Sequence, residues 1–198
     1  MKRNRLRLHI SFNAPAVLGF TAVCVIAQVL NIVTAGGSNT AVFSVWRSSL
    51  LDPLTYVRCF CHVFGHSGWD HLLNNIMFIL ILGPMLEEKY GSANIIKVMA
   101  VTALVTGIIN PILFPNVRLL GASGIVFAFI LLSSITATED GGIPVTFILV
   151  AAVYLGMQIY QGLFTKDNVS QLTHIVGGIV GSVLGFAMNG RTGTRRRK

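Results

Sequence analysis

Leu119-Leu-Gly-Ala-Ser-Gly-Ile-Val-Phe-Ala-Phe129 sets one hydroxyl, that of Ser123, between two glycines at the point where an unbroken apolar helix begins. The first turn of such a helix has N–H groups without intrahelical acceptors and carries the positive end of the macrodipole. A negative oxygen that forms there is stabilised. Gly121-Ala122-Ser123-Gly124 has a second reading, because small residues also line the contacts between helices packed inside a membrane. Which reading applies depends on what the rest of the chain brings to that helix start.

Of the 198 residues, 53% are hydrophobic and 11% charged, and the mean hydropathy is +0.71, more than a water-soluble core of this length needs. The chain reads as an all-α, polytopic membrane protein. Its net charge of +8 sits mainly in two tails, MKRNRLRLH and RTGTRRRK, and not along a face with interleaved aromatics. That distribution argues against nucleic acid and fits topology signals that touch anionic lipid heads. Cys24 lies in an apolar run, whereas Cys59 and Cys61 stand two apart in a loop. Three cysteines give no disulfide framework, and small apolar filler suits them better than metal ligation. The first apolar run is long enough to span and shows no small-residue cleavage site, so no removable leader is expected.

Six stretches approach the about 20 apolar residues of a membrane helix: about 14–34, 69–86, 93–114, 122–138, 143–163 and 170–189. One domain of residues 1–198 follows, with basic tails at 1–13 and 190–198, a core at 14–189 and a long loop at 35–68 that partly folds onto the membrane surface. With both termini cytoplasmic, eleven Lys and Arg fall inside and only Arg47, Arg58, Arg118 and Lys166 outside, as the positive-inside rule requires. Glu139 and Asp140 mark a cytoplasmic turn. No internal repeat points to a two-fold transporter.

On this topology spans two, four and six begin at the outer surface, and polar residues coincide in depth. Asn75 lies about one and a half turns into span two, with His71 one turn above it on the same face. Ser123 opens span four, and His174 lies about one turn into span six. Gly177, Gly181 and Gly185 follow at four-residue spacing and are expected to face Gly124 and Ala128, letting the two axes close up. Each group has a bland alternative: a histidine bonded to a carbonyl, an asparagine joining two helices, a glycine stripe that only packs. Their convergence at one depth favours chemistry, because polar groups inside a bilayer are expensive. A hydroxyl and an imidazole at one height on packed helices form the minimal nucleophile and base.

His62, His66, His71 and Asn75, then Glu87 and Lys89 before Gly91, then Gly121, Ser123 and Gly124, and finally His174, Gly177 and Gly181, in this order and spacing, resemble the rhomboid family of intramembrane serine proteases. The resemblance runs from about Arg58 to Gly185. It implies a compact six-helix bundle in which Ser123 is the nucleophile and His174 the general base, without a third carboxylate. Asn75, His71 and the backbone N–H of Ser123 would stabilise the oxyanion. His66 would support the polar structure around the site, Arg58 and the long loop resemble the family's first loop, and Glu87 and Lys89 resemble its polar pair at the inner end of span two. Phe127 departs from the pattern, since the family often has Tyr there, stacked on the catalytic histidine. No cofactor or metal is implied.

The implied substrate is another protein's transmembrane segment, entering from lipid. Span five and the loop Thr165 to Ser170 are the expected gate, and His62, His66, His71, Asn75, Gln171 and Thr173 are expected to line the mouth of a wet cavity. A prokaryotic inner membrane is the expected location; the oligomeric state is open. A metalloprotease is disfavoured because the histidines come without HExxH or an aligned carboxylate. An aspartyl protease fails for want of an aspartate mid-span. Two rivals remain: an inactive rhomboid-like protein that binds membrane clients, and a small transporter whose flux would survive Ser123→Ala.

Overall fold

A computed structural model describes residues 12–136, 143–164 and 168–195. Residues 1–11 of the basic tail, Glu139 and Asp140, Thr165 to Asp167 of the expected gate, and residues 196–198 lie outside the described residues. The architecture is all helical. Chain order is α1 (Pro15–Val33), α2 (Gly37–Ala41), α3 (Pro53–Cys61), a 3-10 turn (His62–Phe64), α4 (Trp69–Tyr90), α5 (Ser92–Leu113), α6 (Ser123–Ile135), α7 (Val145–Phe164) and α8 (Asn168–Arg195).

Among the described residues four helices are long and apolar enough to cross a membrane: α1, α4, α5 and the stretch Gln171–Asn189 of α8. Two shorter apolar helices, Ser123–Ile135 and Val145–Met157, also occur among the described residues. The outward faces carry Ile26, Ile81, Leu149, Val153 and Val183 in the open, side chains that only lipid would welcome. Inside, α1, α4, α5 and α6 share a core built around Val17, Cys24, Leu72, Ile79, Leu86, Ile95, Ile125 and Phe129.

About half of the segment expected as a loop over 35–68 is helical, in α2, α3 and the 3-10 turn. Asp52 accepts a hydrogen bond from the Leu54 N–H at 3.0 Å and Pro53 takes the first helical position, the two signals that start a helix. This segment is tied to the chain just ahead of Ser123. Val45 and Leu119 exchange backbone hydrogen bonds, both of 2.9 Å. The Trp46 ring has the Arg58 guanidinium 4.3 Å and the Arg118 guanidinium 4.5 Å from its centre, cation–π contacts that gain from low polarity. Arg58 also donates to the Ala41 carbonyl and to Asp52, each at 3.0 Å.

At the other end of the bundle, side chains do the capping. The Glu87 carboxylate accepts from the N–H groups of Ala16 at 2.9 Å and Val17 at 3.0 Å and from the Ser92 hydroxyl at 2.6 Å, so α4 caps the start of α1. Helix α6, expected over 122–138, is described over Ser123–Ile135, and residues 137–138 lie outside the described residues. Its last carbonyls are met from neighbouring helices: Asn189 Nδ2 donates to Ile135 at 2.9 Å, and Lys89 donates to Thr136. Tyr90 donates to Asn189 at 2.9 Å and completes the clamp.

Candidate active site

The turn before Ser123 is unusual backbone. Gly121 has φ +124°, a region an L side chain rarely enters. Its N–H donates to the His62 carbonyl at 3.0 Å. A Cβ there would stand 2.8 Å from His71 Cε1 and 2.9 Å from His71 Nε2, so only glycine lets the His71 ring lie against this turn. The next N–H, of Ala122, points at His66 Nε2 at 3.5 Å. Ser123 then opens α6, partly exposed, with no side-chain hydrogen bond capping the helix start.

Hydrogen bonding fixes the tautomers. His66 Nδ1 lies 3.1 Å from the Phe64 carbonyl, which only accepts, so Nδ1 carries the proton and Nε2 receives the Ala122 N–H. His71 Nδ1 is approached by the Ser67 N–H at 3.5 Å and by the Ser67 hydroxyl at 3.2 Å. A backbone N–H only donates, so the His71 proton sits on Nε2, the atom that faces Gly121. The two imidazoles meet edge to face at 5.0 Å. Burial, with the neighbouring His71 second, pushes His66 down to about 4.

Asn75 lies one turn further along α4, 6% exposed. Its amide nitrogen Nδ2 has no hydrogen-bond partner among the described residues and is 3.8 Å from the position of a Cβ on Gly121. A buried donor left open costs about 1–3 kcal/mol. Two donors on one face of α4 thus converge on the turn that presents Ser123.

Helix α8 comes to the same place by close approach. A Cβ on Gly177 would stand 2.1 Å from the Gly124 carbonyl oxygen, and one on Gly181 would stand 2.3 Å from that of Ala128. Gly185 meets Leu132 and Ile135 side chains instead. Thr173 Cγ2 is 3.5 Å from the Cβ position of Gly124, so its neighbour His174 falls on the turn of α8 facing the start of α6. The His174 ring stacks on Phe127, centroids 4.2 Å apart and tilted by 44°. The stack that the resemblance assigns to Tyr is made here by Phe, and it continues to a ring absent from the sequence reading: Tyr154 of α7 lies 4.4 Å from Phe127. Sequence alone carried no signal for Tyr154, because its place depends on the rotation of α7 about its axis.

One expectation needs correction. His62 and His66 do not line an open mouth; they are 1% and 0% exposed. His62 Nε2 lies 3.1 Å from the Ala103 carbonyl and 3.3 Å from the Thr106 hydroxyl, and burial holds it down to about 4. It fastens the 3-10 turn to α5. Among the described residues no group of three His, Cys, Asp or Glu is placed to hold a metal ion. The thiols of Cys59 and Cys61 are pushed up by burial, and Cys59 Sγ rests 3.6 Å from the Gly107 carbonyl, in keeping with packing.

The profile of the Rhomboid domain matches residues 53–191. Rhomboid protease GlpG of Salmonella choleraesuis (strain SC-B67) is 26% identical over 171 residues, which cover 84% of this chain and 62% of that protein. Rhomboid protease GlpG of Salmonella newport (strain SL254) is 25% identical over a stretch of 171 residues, 84% of this chain and 62% of that protein. Rhomboid-like protein 11, chloroplastic, of Arabidopsis thaliana is 26% identical over 136 residues, 61% of this chain and 48% of that protein. The chain therefore spans less than two thirds of the length of these curated relatives. The matched region runs from the first residue of α3 into the end of α8 and takes in the turn at Gly121, the α4 donors and the glycine contact of α6 with α8: this integral membrane protein belongs to the rhomboid family.

Proposed function

We propose that the protein is an intramembrane serine endopeptidase that cleaves transmembrane segments of other membrane proteins. Ser123 attacks the scissile carbonyl while His174 takes its proton; the acyl-enzyme forms as His174 returns that proton to the leaving amine, and a water activated by the same imidazole releases the acyl group. The tetrahedral oxygen is held by Asn75 Nδ2, by His71 Nε2–H and by the N–H of Ser123 at the helix start. His66 acts one step back by holding the Ala122 N–H, and Gly121, Gly124, Gly177 and Gly181 set the approach of the elements. Phe127 keeps the stacking face for the base without a hydroxyl. One observation carries this reading: a buried amide donor with no partner among the described residues and an Nε2–H donor on α4 converge on the positive-φ glycine turn ahead of Ser123.

The same reading makes residues 1–198 one six-span domain with both termini cytoplasmic, in a prokaryotic inner membrane, contacting lipid and admitting substrate beside α7. It needs no cofactor. A fluorophosphonate probe labels the detergent-solubilised wild type and neither Ser123→Ala nor His174→Ala. Equal labelling of Ser123→Ala refutes the nucleophile. A folded wild type that neither binds the probe nor cuts a transmembrane peptide returns the protein to the client-binding alternative.

A further inference from the structure

Tyr154 is 6% exposed on α7, and its ring is inclined 33° to that of Phe127. Its Cε1 stands 3.1 Å from where a Cβ on Gly178 would be. Gly178 lies one turn beyond His174 on the same face of α8, and the missing side chain there makes room for the tyrosine. The ring is therefore wedged between α6 and α8 at the level of the His174 stack. Its hydroxyl has no hydrogen-bond partner among the described residues, so the ring, not a polar bond, accounts for its position.

A general base works only while its nitrogen stays within hydrogen-bond reach of the proton it takes. Phe127 has no polar atom with which to fix its own tilt, so the face it offers His174 is set by what packs against it. Aromatic pairs favour particular mutual orientations beyond what area burial alone would set. We propose that Tyr154 is a positioning residue that orients the His174 imidazole through Phe127. This rests on reading Ser123 and His174 as nucleophile and base. It also ties α7 to the base: a displacement of α7 relaxes the stack before it touches either residue of the pair.

The test uses the full chain in detergent, with rates on a transmembrane peptide normalised to probe-titrated active sites. Tyr154→Leu lowers kcat about tenfold and leaves KM within twofold, a split that a merely less stable enzyme does not give after normalisation. Tyr154→Phe restores at least half of wild-type kcat. Phe127→Leu combined with Tyr154→Leu is no slower than Phe127→Leu alone, because both act on one contact chain. Should the leucine variant fail to fold, Tyr154→Met carries the same comparison. Unchanged kcat in Tyr154→Leu, a Phe variant as slow as the Leu variant, or losses that multiply in the double variant each overturn the inference. A wild type that takes up no probe overturns the enzyme reading instead, and this one with it, so the labelling step tells the two failures apart.

Discussion

Replacing Gly177 by alanine probes the helix contact that the proposed chemistry depends on. The added Cβ would stand 2.1 Å from the Gly124 carbonyl oxygen, 2.8 Å from its carbonyl carbon and 2.9 Å from its Cα. All three neighbours are backbone, so no side chain can swing away. Bringing the oxygen contact to even 3.0 Å requires the two helices to part by about 0.9 Å, and α8 carries His174 with it. A misplacement of about 1 Å costs on the order of 100-fold in rate when groups must meet in one geometry. Overpacking of this kind destabilises by about 1–3 kcal/mol. Gly177→Ala is therefore expected to lose about 100-fold in kcat on a transmembrane peptide, with a modest fall in Tm in detergent. Gly19→Ala is the control: nothing lies within 4 Å of a Cβ at Gly19, and its activity and Tm stay at wild-type values or slightly above. Wild-type kcat in Gly177→Ala would refute the argument that the close contact of α6 with α8 sets the distance between hydroxyl and imidazole.

Asn75→Ala is expected to raise the barrier by about 2.7–4 kcal/mol, the usual cost of one oxyanion donor, with little change in Tm because the amide nitrogen has no partner to lose; kcat and thermal unfolding measured together check this. Glu87→Ala leaves the N–H groups of Ala16 and Val17 without their acceptor and should cost about 3 kcal/mol of stability, read from thermal unfolding, with activity intact at low temperature. The pH dependence of stability follows from His62 and His66, both held from an ordinary 6.5 down to about 4 by burial. The unfolded chain binds these protons first, so their contribution is complete above pH 6.5 and is lost as pH falls from 6.5 towards 4. Tm should fall across that window, and a flat profile there would show that the two rings are not held neutral.

The elements nearest the proposed chemistry were legible as contacts because their residues have few other uses. A serine between glycines at the head of an apolar run, and glycines four apart after a histidine, describe contacts of backbone with backbone, which leave a clear trace in sequence. What depended on tertiary partners left none. The last carbonyls of helix α6 are taken by side chains from α4 and α8, partners that no local pattern around Ile135 announces. Helix α3 did carry a local signal in Asp52 and Pro53, but it was masked by the turn residues around it. His62 and His71 belong to one run of histidines, yet one is sealed against α5 and the other faces the glycine turn; spacing along a chain does not separate those fates. Tyr154 meets Phe127 only through the orientation of a helix that is apolar on several faces.

Helix α6 has 13 residues, about 20 Å at 1.5 Å per residue, against a hydrocarbon slab of about 30 Å. Its terminal carbonyls do not need to reach headgroup water, because Asn189 and Lys89 satisfy them within the protein. Hydration of this helix end is thereby uncoupled from bilayer thickness. A short helix can then sit among longer ones without the bilayer having to thin to meet its end.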